Sequence, residues 1–159
     1  VTTNCLLYPK RAEALRGRVS MLHFSLDFPD AARHDASRGV ACHRFVLESI
    51  ALAQRLGERP DILYTVTEES LGGIEEVYER ICKPNGLILI LNPIFAYNQV
   101  GGGLSCASLD ALARWGRRRG VYLNQAFLRL RRAGGNQTES PVCRAASSAL
   151  VISPQNELV

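Results

Sequence analysis

Apolar and polar positions along the chain follow two periods. Val19-Ser-Met-Leu-His-Phe-Ser-Leu26, Asp61-Ile-Leu-Tyr-Thr-Val-Thr67, Leu87-Ile-Leu-Ile-Leu91 and Val121-Tyr-Leu-Asn124 are short, apolar and aromatic, as strands are. Thr2-Thr-Asn4 reads as the tip of another. Between them the helical period recurs. Residues 9–16 open on Pro9 and close on Gly17, and residues 40–56 carry Cys42, Val46, Ile50, Ala53 and Leu56 on one stripe. Residues 71–82 place Ile74, Val77, Tyr78 and Ile81 on one face, and Ser105 caps a helix predicted to run to about 119. Residues 125–132 also read as helix. Residues 29–39 read as a polar loop, 96–103 as a glycine-rich loop and 133–142 as a connection. Residues 148–153 and 157–159 read as the arms of a hairpin turning at Pro154-Gln-Asn156. Strand and helix alternate throughout, which predicts an α/β fold with a parallel sheet and right-handed crossovers. The unbroken apolar run at 87–91 predicts a strand buried on both faces.

With 159 residues, 47% of them hydrophobic and 21% charged, the chain can build one real core. That excludes a disordered tail, a collagenous repeat and a small disulfide knot. No apolar run reaches the roughly 18–20 residues of a membrane span, so no membrane partner is expected. The first residues read as a strand tip and the last as the inside of a hairpin. The expectation is therefore part of a larger fold, with an open sheet edge at residues 1–4.

The net charge of +4 is unevenly spread. Residues 61–100 carry six acidic and two basic side chains, whereas residues 101–159 carry eight basic and three acidic ones. Arg117-Arg118-Arg119 reads as the basic end of a helix or as a phosphate-binding patch. No aromatic platform interleaves with these arginines, so nucleic acid is not an expected partner. The five cysteines are odd in number and contain no CxxC pair. Reduced thiols in the cytoplasm are the expectation.

In a parallel sheet of this kind ligands bind at the carboxyl ends of the strands. Those ends read Thr2, Thr3 and Asn4; Ser25 and Asp27; Thr65, Thr67 and Glu68; Asn92 with Asn98 and Gln99 further on; and Asn124 with Gln125. Each such residue can also serve as a helix cap. Together they form a rim suited to a ligand with hydroxyl, amine and carboxylate groups. Asp27 and Glu68 are candidates for an acid–base pair. No HxH or HExxH metal set, Gly-x-Ser-x-Gly elbow, P-loop or dinucleotide fingerprint occurs, so chemistry here would call for a cofactor.

Two phrases carry a resemblance. Thr2-Thr-Asn-Cys5 followed by Phe24-Ser-Leu-Asp27 resembles the Thr-Asn-Gly … Ser-Leu-Asp sequence of radical S-adenosylmethionine enzymes. Pro141-Val-Cys143-Arg-Ala-Ala followed by Leu150-Val-Ile-Ser-Pro154 resembles the start of their SPASM or twitch extension. The resemblance implies later units of a partial (β/α)6, TIM-like barrel over residues 1–132 and the start of a β-hairpin extension over 133–159. It implies that Thr2 and Ser25 contact the methionyl end of S-adenosylmethionine, with Asn4 and Asp27 beside them. Thr65 and Thr67 would line the cofactor, and Asn92 would stand near its adenine. Cys143 would ligate an auxiliary [4Fe-4S] cluster.

The implied activity of the intact enzyme is reductive cleavage of S-adenosylmethionine to a 5′-deoxyadenosyl radical that abstracts hydrogen from a small-molecule or peptide substrate. A flavodoxin or ferredoxin would supply the electron. The chain departs from the family in lacking the CxxxCxxC motif and the glycine-rich motif that meets the cofactor's amine, and in having Cys5 where the family has glycine. The alternative is a metal-free α/β-barrel lyase or binding protein for a polar or phosphorylated metabolite.

Overall fold

The computed structural model describes residues 1–94 and 103–133. The expected hairpin, Cys143, Asn98, Gln99 and most of the glycine-rich loop lie outside the described residues.

Among the described residues five strands form one sheet in the order β1-β2-β3-β4-β5, and every neighbouring pair is parallel. They are β1 (Thr2–Thr3), β2 (His23–Ser25), β3 (Asp61–Val66), β4 (Leu89–Pro93) and β5 (Val121–Leu123). The helices are α1 (Tyr8–Leu15), α2 (Ala31–Arg38), α3 (His43–Arg55), α4 (Ile74–Val77), α5 (Cys106–Trp115) and α6 (Gln125–Arg132). A 3-10 turn at Leu71–Gly73 precedes α4 and a π-helical turn at Tyr78–Cys82 follows it, so the predicted 71–82 helix forms with a changing pitch.

Consecutive strand order with right-handed crossovers places the connecting helices on one side of the sheet. Burial agrees with that geometry. Phe24, Ile62 and Leu89 are in register across β2–β4, as are Tyr64, Leu91 and Leu123 across β3–β5. These buried residues share one core with Tyr8 and Ala12 of α1, Val46 and Ile50 of α3, Ile74 and Val77 of α4, and Leu109 and Leu112 of α5.

The opposite face carries the in-register row Ser25, Leu63, Ile90 and Tyr122. Leu63 and Ile90 are only half-buried, Ile88 is 44% exposed and Tyr122 is 55% exposed. The predicted two-sided burial of the 87–91 run is therefore not seen among the described residues. Among the described residues one face of β4 packs on helices and the other stays partly open.

Three further expectations change. Residues 31–38 are helix rather than loop, because Asp30 accepts a hydrogen bond from Arg33 N at 2.9 Å and Gly39 closes the helix in the left-handed region at φ 67°. β2 is confined to three residues, the length over which β1 and β3 offer partners. α5 stops at Trp115, four residues early. Gly116 there lies so close to Leu123 that a β-carbon would sit 3.0 Å from its Cδ2. Arg117–Arg119 thus follow the helix instead of forming its last turn.

Candidate functional site

Asp27, Thr65 and Thr67 come together in a cavity of about 350 Å³ at the carboxyl ends of β2 and β3. Arg33 and Ser37 of α2 and Glu69 of the loop after β3 complete its polar wall, with Phe28, Ala36 and Ile94 on the apolar side. α2 was not legible as a helix from its polarity, so Arg33 and Ser37 were missed. The signals that could have found them are the cap Asp30 and the stop Gly39.

Asp27 is 5% exposed and its carboxylate is fully engaged. Oδ1 accepts from Thr65 N at 2.9 Å, and Oδ2 pairs with Arg38 Nη2 at 2.7 Å. The Asp27 N–H donates to His34 Nδ1 at 3.2 Å. His34 is completely buried, and burial pushes its pKa down to about 4. Since Nδ1 accepts a hydrogen bond, the ring proton of the neutral imidazole sits on Nε2 and points to Cys42 Sγ, 3.4 Å away. Asp35 caps the start of α3, its Oδ1 accepting from Cys42 N at 2.9 Å and His43 N at 2.8 Å. Those two backbone donors hold its carboxyl below the usual range.

The loop after β3 is equally knit. Thr67 N donates to Ser70 Oγ at 2.8 Å and Ser70 N donates to Thr67 Oγ1 at 3.0 Å, a reciprocal cap. Tyr64 donates its hydroxyl to Ser70 O at 2.5 Å. Glu68 bonds to the start of α5. Its Oε1 accepts from Ser105 N at 2.5 Å and its Oε2 from Ser108 Oγ at 2.6 Å, at the N-terminus of α5. These donors lower its pKa. Both carboxylates of the expected acid–base pair are thus taken up by separate structural bonds.

The other expected site residues lie apart from the cavity. Thr2 is exposed, with Oγ1 3.4 Å from His23 Nδ1. Asn4 Oδ1 accepts from Leu6 N at 3.3 Å and shapes the turn after β1. Ser25 is buried beneath the rim, and Asn92 is exposed beside its register partner Thr65. Cys5 is fully buried and sits in the left-handed region at φ 68°.

The four cysteines among the described residues form no cluster site. Cys5, Cys42, Cys82 and Cys106 are free thiols, and burial pushes both Cys5 and Cys82 up to about 12. Such thiols resist the ionisation that iron ligation needs. His34, Asp35 and Cys42 do bring ligand atoms within 4.8 Å of one another. They do not fit a metal, because the one lone pair of neutral His34 already accepts the Asp27 N–H and burial pushes the Cys42 thiol above its ordinary pKa.

The arginines near the C-terminal side are divided. Arg118 lies over the Trp115 ring at 4.4 Å and the Tyr78 ring at 5.3 Å, which covers both aromatics. Arg132 pairs instead with Asp110 of α5 at 2.5 Å. Among the described residues no helix is long and apolar enough to cross a membrane. Comparison with known proteins gives no matching family model and no matching curated protein.

Proposed function

We propose that these residues are the later β/α units of a radical S-adenosylmethionine enzyme, a partial TIM-like barrel whose rim holds part of the cofactor. The observation that carries the reading is the one-sided sheet. Parallel sheets are ordinarily covered on both faces, yet among the described residues Tyr122 is exposed and its row partners Leu63 and Ile90 are only half-buried. Consecutive β/α units of a barrel turn such a face toward a lumen. Cys5 adds support, since the family has glycine at that place and the backbone there is left-handed.

S-adenosylmethionine offers an amine, a carboxylate and ribose hydroxyls, which the hydroxyls of Ser37, Thr65 and Thr67 can meet. Asp27 would serve it by fixing the Thr65 backbone rather than by direct contact. The cluster would be held by cysteines outside the described residues, Cys143 among them for an auxiliary cluster. With cofactor and cluster bound, the intact enzyme would abstract hydrogen from a small-molecule or peptide substrate, with electrons from a flavodoxin or ferredoxin. The cytoplasm, where free thiols persist, suits it.

The reading frame ahead of Val1 is expected to encode a CxxxCxxC motif within roughly 60–100 residues, or two to three β/α units. That longer chain, reconstituted anaerobically with iron and sulfide, is expected to turn brown and to bind S-adenosylmethionine. A longer chain without the three cysteines, or one that stays colourless, overturns the proposal.

A further inference from the structure

We propose that the end of the sheet opposite the cavity is a docking face for the phosphate backbone of a nucleic-acid duplex. In a parallel sheet the helix-to-strand connections all lie at the amino ends of the strands. The connections into β2, β3, β4 and β5 therefore share one end of the molecule, and hydrogen bonds stitch them side by side. Gly17 N donates to Glu58 Oε1 at 2.6 Å, Gln54 Nε2 to Asn85 O at 3.0 Å, and the Tyr78 hydroxyl to Arg119 O at 2.7 Å. Arg16, Arg18, Arg55, Arg59, Arg117 and Arg119 stand on these connections, and each is exposed. Among the described residues none of the six has an ion-pair partner. Three acids of this end are already engaged. Glu58 holds Gly17 N, Glu79 pairs with Lys83 at 2.7 Å, and Asp61 faces His23 at 3.8 Å. Even with Glu13 exposed on α1, the end keeps an excess of positive charge.

Basic residues at helix C-termini also offset the helix dipole. The ends of α1, α3 and α5 carry only about half a negative charge each, well short of six guanidinium groups. The surplus calls for a polyanion, and guanidinium groups suit phosphate, which they bind in bidentate pairs. From β2 to β5 the sheet spans three steps of about 4.8 Å, roughly 14 Å in all. That length of duplex carries about eight phosphates. Charges spread along four neighbouring connections follow a backbone rather than enclose a single anion. Arg118 covers Trp115 at 4.4 Å from its ring centre, which disfavours base stacking at this end. Backbone contacts need no ring. In the sequence only the Arg117–Arg119 run stands out as a cluster, and the fold sets the other four arginines on the same end.

This face lies at the far end of the strands from the cofactor rim and stands independently of that reading. A fluorescein-labelled DNA duplex of about 20 base pairs is titrated with the 159-residue chain by anisotropy, from about 50 to about 200 mM salt. The affinity is expected to fall about 150-fold over that range, as about four phosphate contacts require. Arg117→Gln with Arg119→Gln, and separately Arg16→Gln with Arg59→Gln, are each expected to weaken binding about tenfold at the lower salt and to flatten the salt dependence. Both pairs are exposed, so the circular dichroism spectrum should not change. Arg44→Gln removes the same charge at the start of α3, at the other end of the strands, and is expected to leave binding as it was. No binding at the lower salt, an affinity indifferent to salt, or paired variants no weaker than Arg44→Gln each overturns the proposal. Tighter binding to polyglutamate or to phosphatidylserine vesicles than to the duplex overturns it as well. None of these outcomes involves iron or S-adenosylmethionine, so the two readings fail separately.

Discussion

Asp27 reaches across from the end of β2 to the backbone of Thr65 on β3, its Oδ1 accepting the Thr65 N–H at 2.9 Å. The other carboxylate oxygen holds Arg38 at the end of α2. One side chain thus ties two strands and the helix that walls the cavity. Asp27→Asn keeps an acceptor for Thr65 but removes the charge facing Arg38. It is expected to cost roughly 2–4 kcal/mol, as for a buried pair deprived of one partner. Adding Arg38→Met should recover part of that loss in urea unfolding. Strictly additive effects of the two substitutions would mean that the pair is not coupled.

Cys5 combines full burial with a left-handed backbone. A side chain in that region costs about 1 kcal/mol, and glycine avoids it. Cys5→Ala and Cys5→Gly both lose the buried sulfur, so their difference isolates the backbone. The glycine variant is expected to be the more stable by about 1 kcal/mol. An alanine variant at least as stable as the glycine one would contradict the left-handed turn.

His34 sets a pH window. Its pKa is about 4 in the fold against 6.5 for the ordinary group, because burial disfavours the charged ring. As pH falls below about 6.5 the unfolded chain binds a proton that the folded chain refuses, so stability is full above that point and declines until about 4. The loss through this window should total roughly 3 kcal/mol. Denaturation midpoints of His34→Gln, less stable at pH 7, should vary much less between pH 6.5 and 4.5 than those of the parent. An identical slope in both would remove His34 as its source.

Gly73 is required by contact rather than by backbone freedom. A β-carbon there would lie 2.8 Å from the Tyr64 hydroxyl and 2.9 Å from Pro29 Cδ. Gly73→Ala is expected to destabilise by about 1–3 kcal/mol through overpacking. Combining it with Tyr64→Phe, which removes the nearer atom, should restore some of the melting temperature relative to the sum of the two changes.

Much of the fold was legible in local pattern. The stripe Val46, Ile50 and Ala53 is the buried face of α3, Pro9 stands in the first turn of α1, and Ser105 caps α5 by accepting from Ser108 N at 3.2 Å. The rim was legible as a list, and three of its members, Asp27, Thr65 and Thr67, do share a cavity. α2 escaped because its composition is polar. It is anchored by one buried histidine and by ion pairs, not by an apolar stripe.

The sequence by itself determined the alternation of strands and helices, since period and caps are local properties of the chain. It also determined which polar residues stand at the strand ends. Only the tertiary structure decided what those residues do. Asp27 and Glu68 look alike as strand-end carboxylates. One is consumed by Thr65 and Arg38, the other by the N-terminus of α5. Glu69, next in the chain, lines the cavity beside Arg33. Those partners lie 11 to 40 residues away along the chain, and no local pattern encodes a hydrogen bond closed over that distance. The partly open face of β4 has the same origin. Leu87–Leu91 is equally apolar on both sides, and burial of just one of them follows from where five parallel strands put their helices.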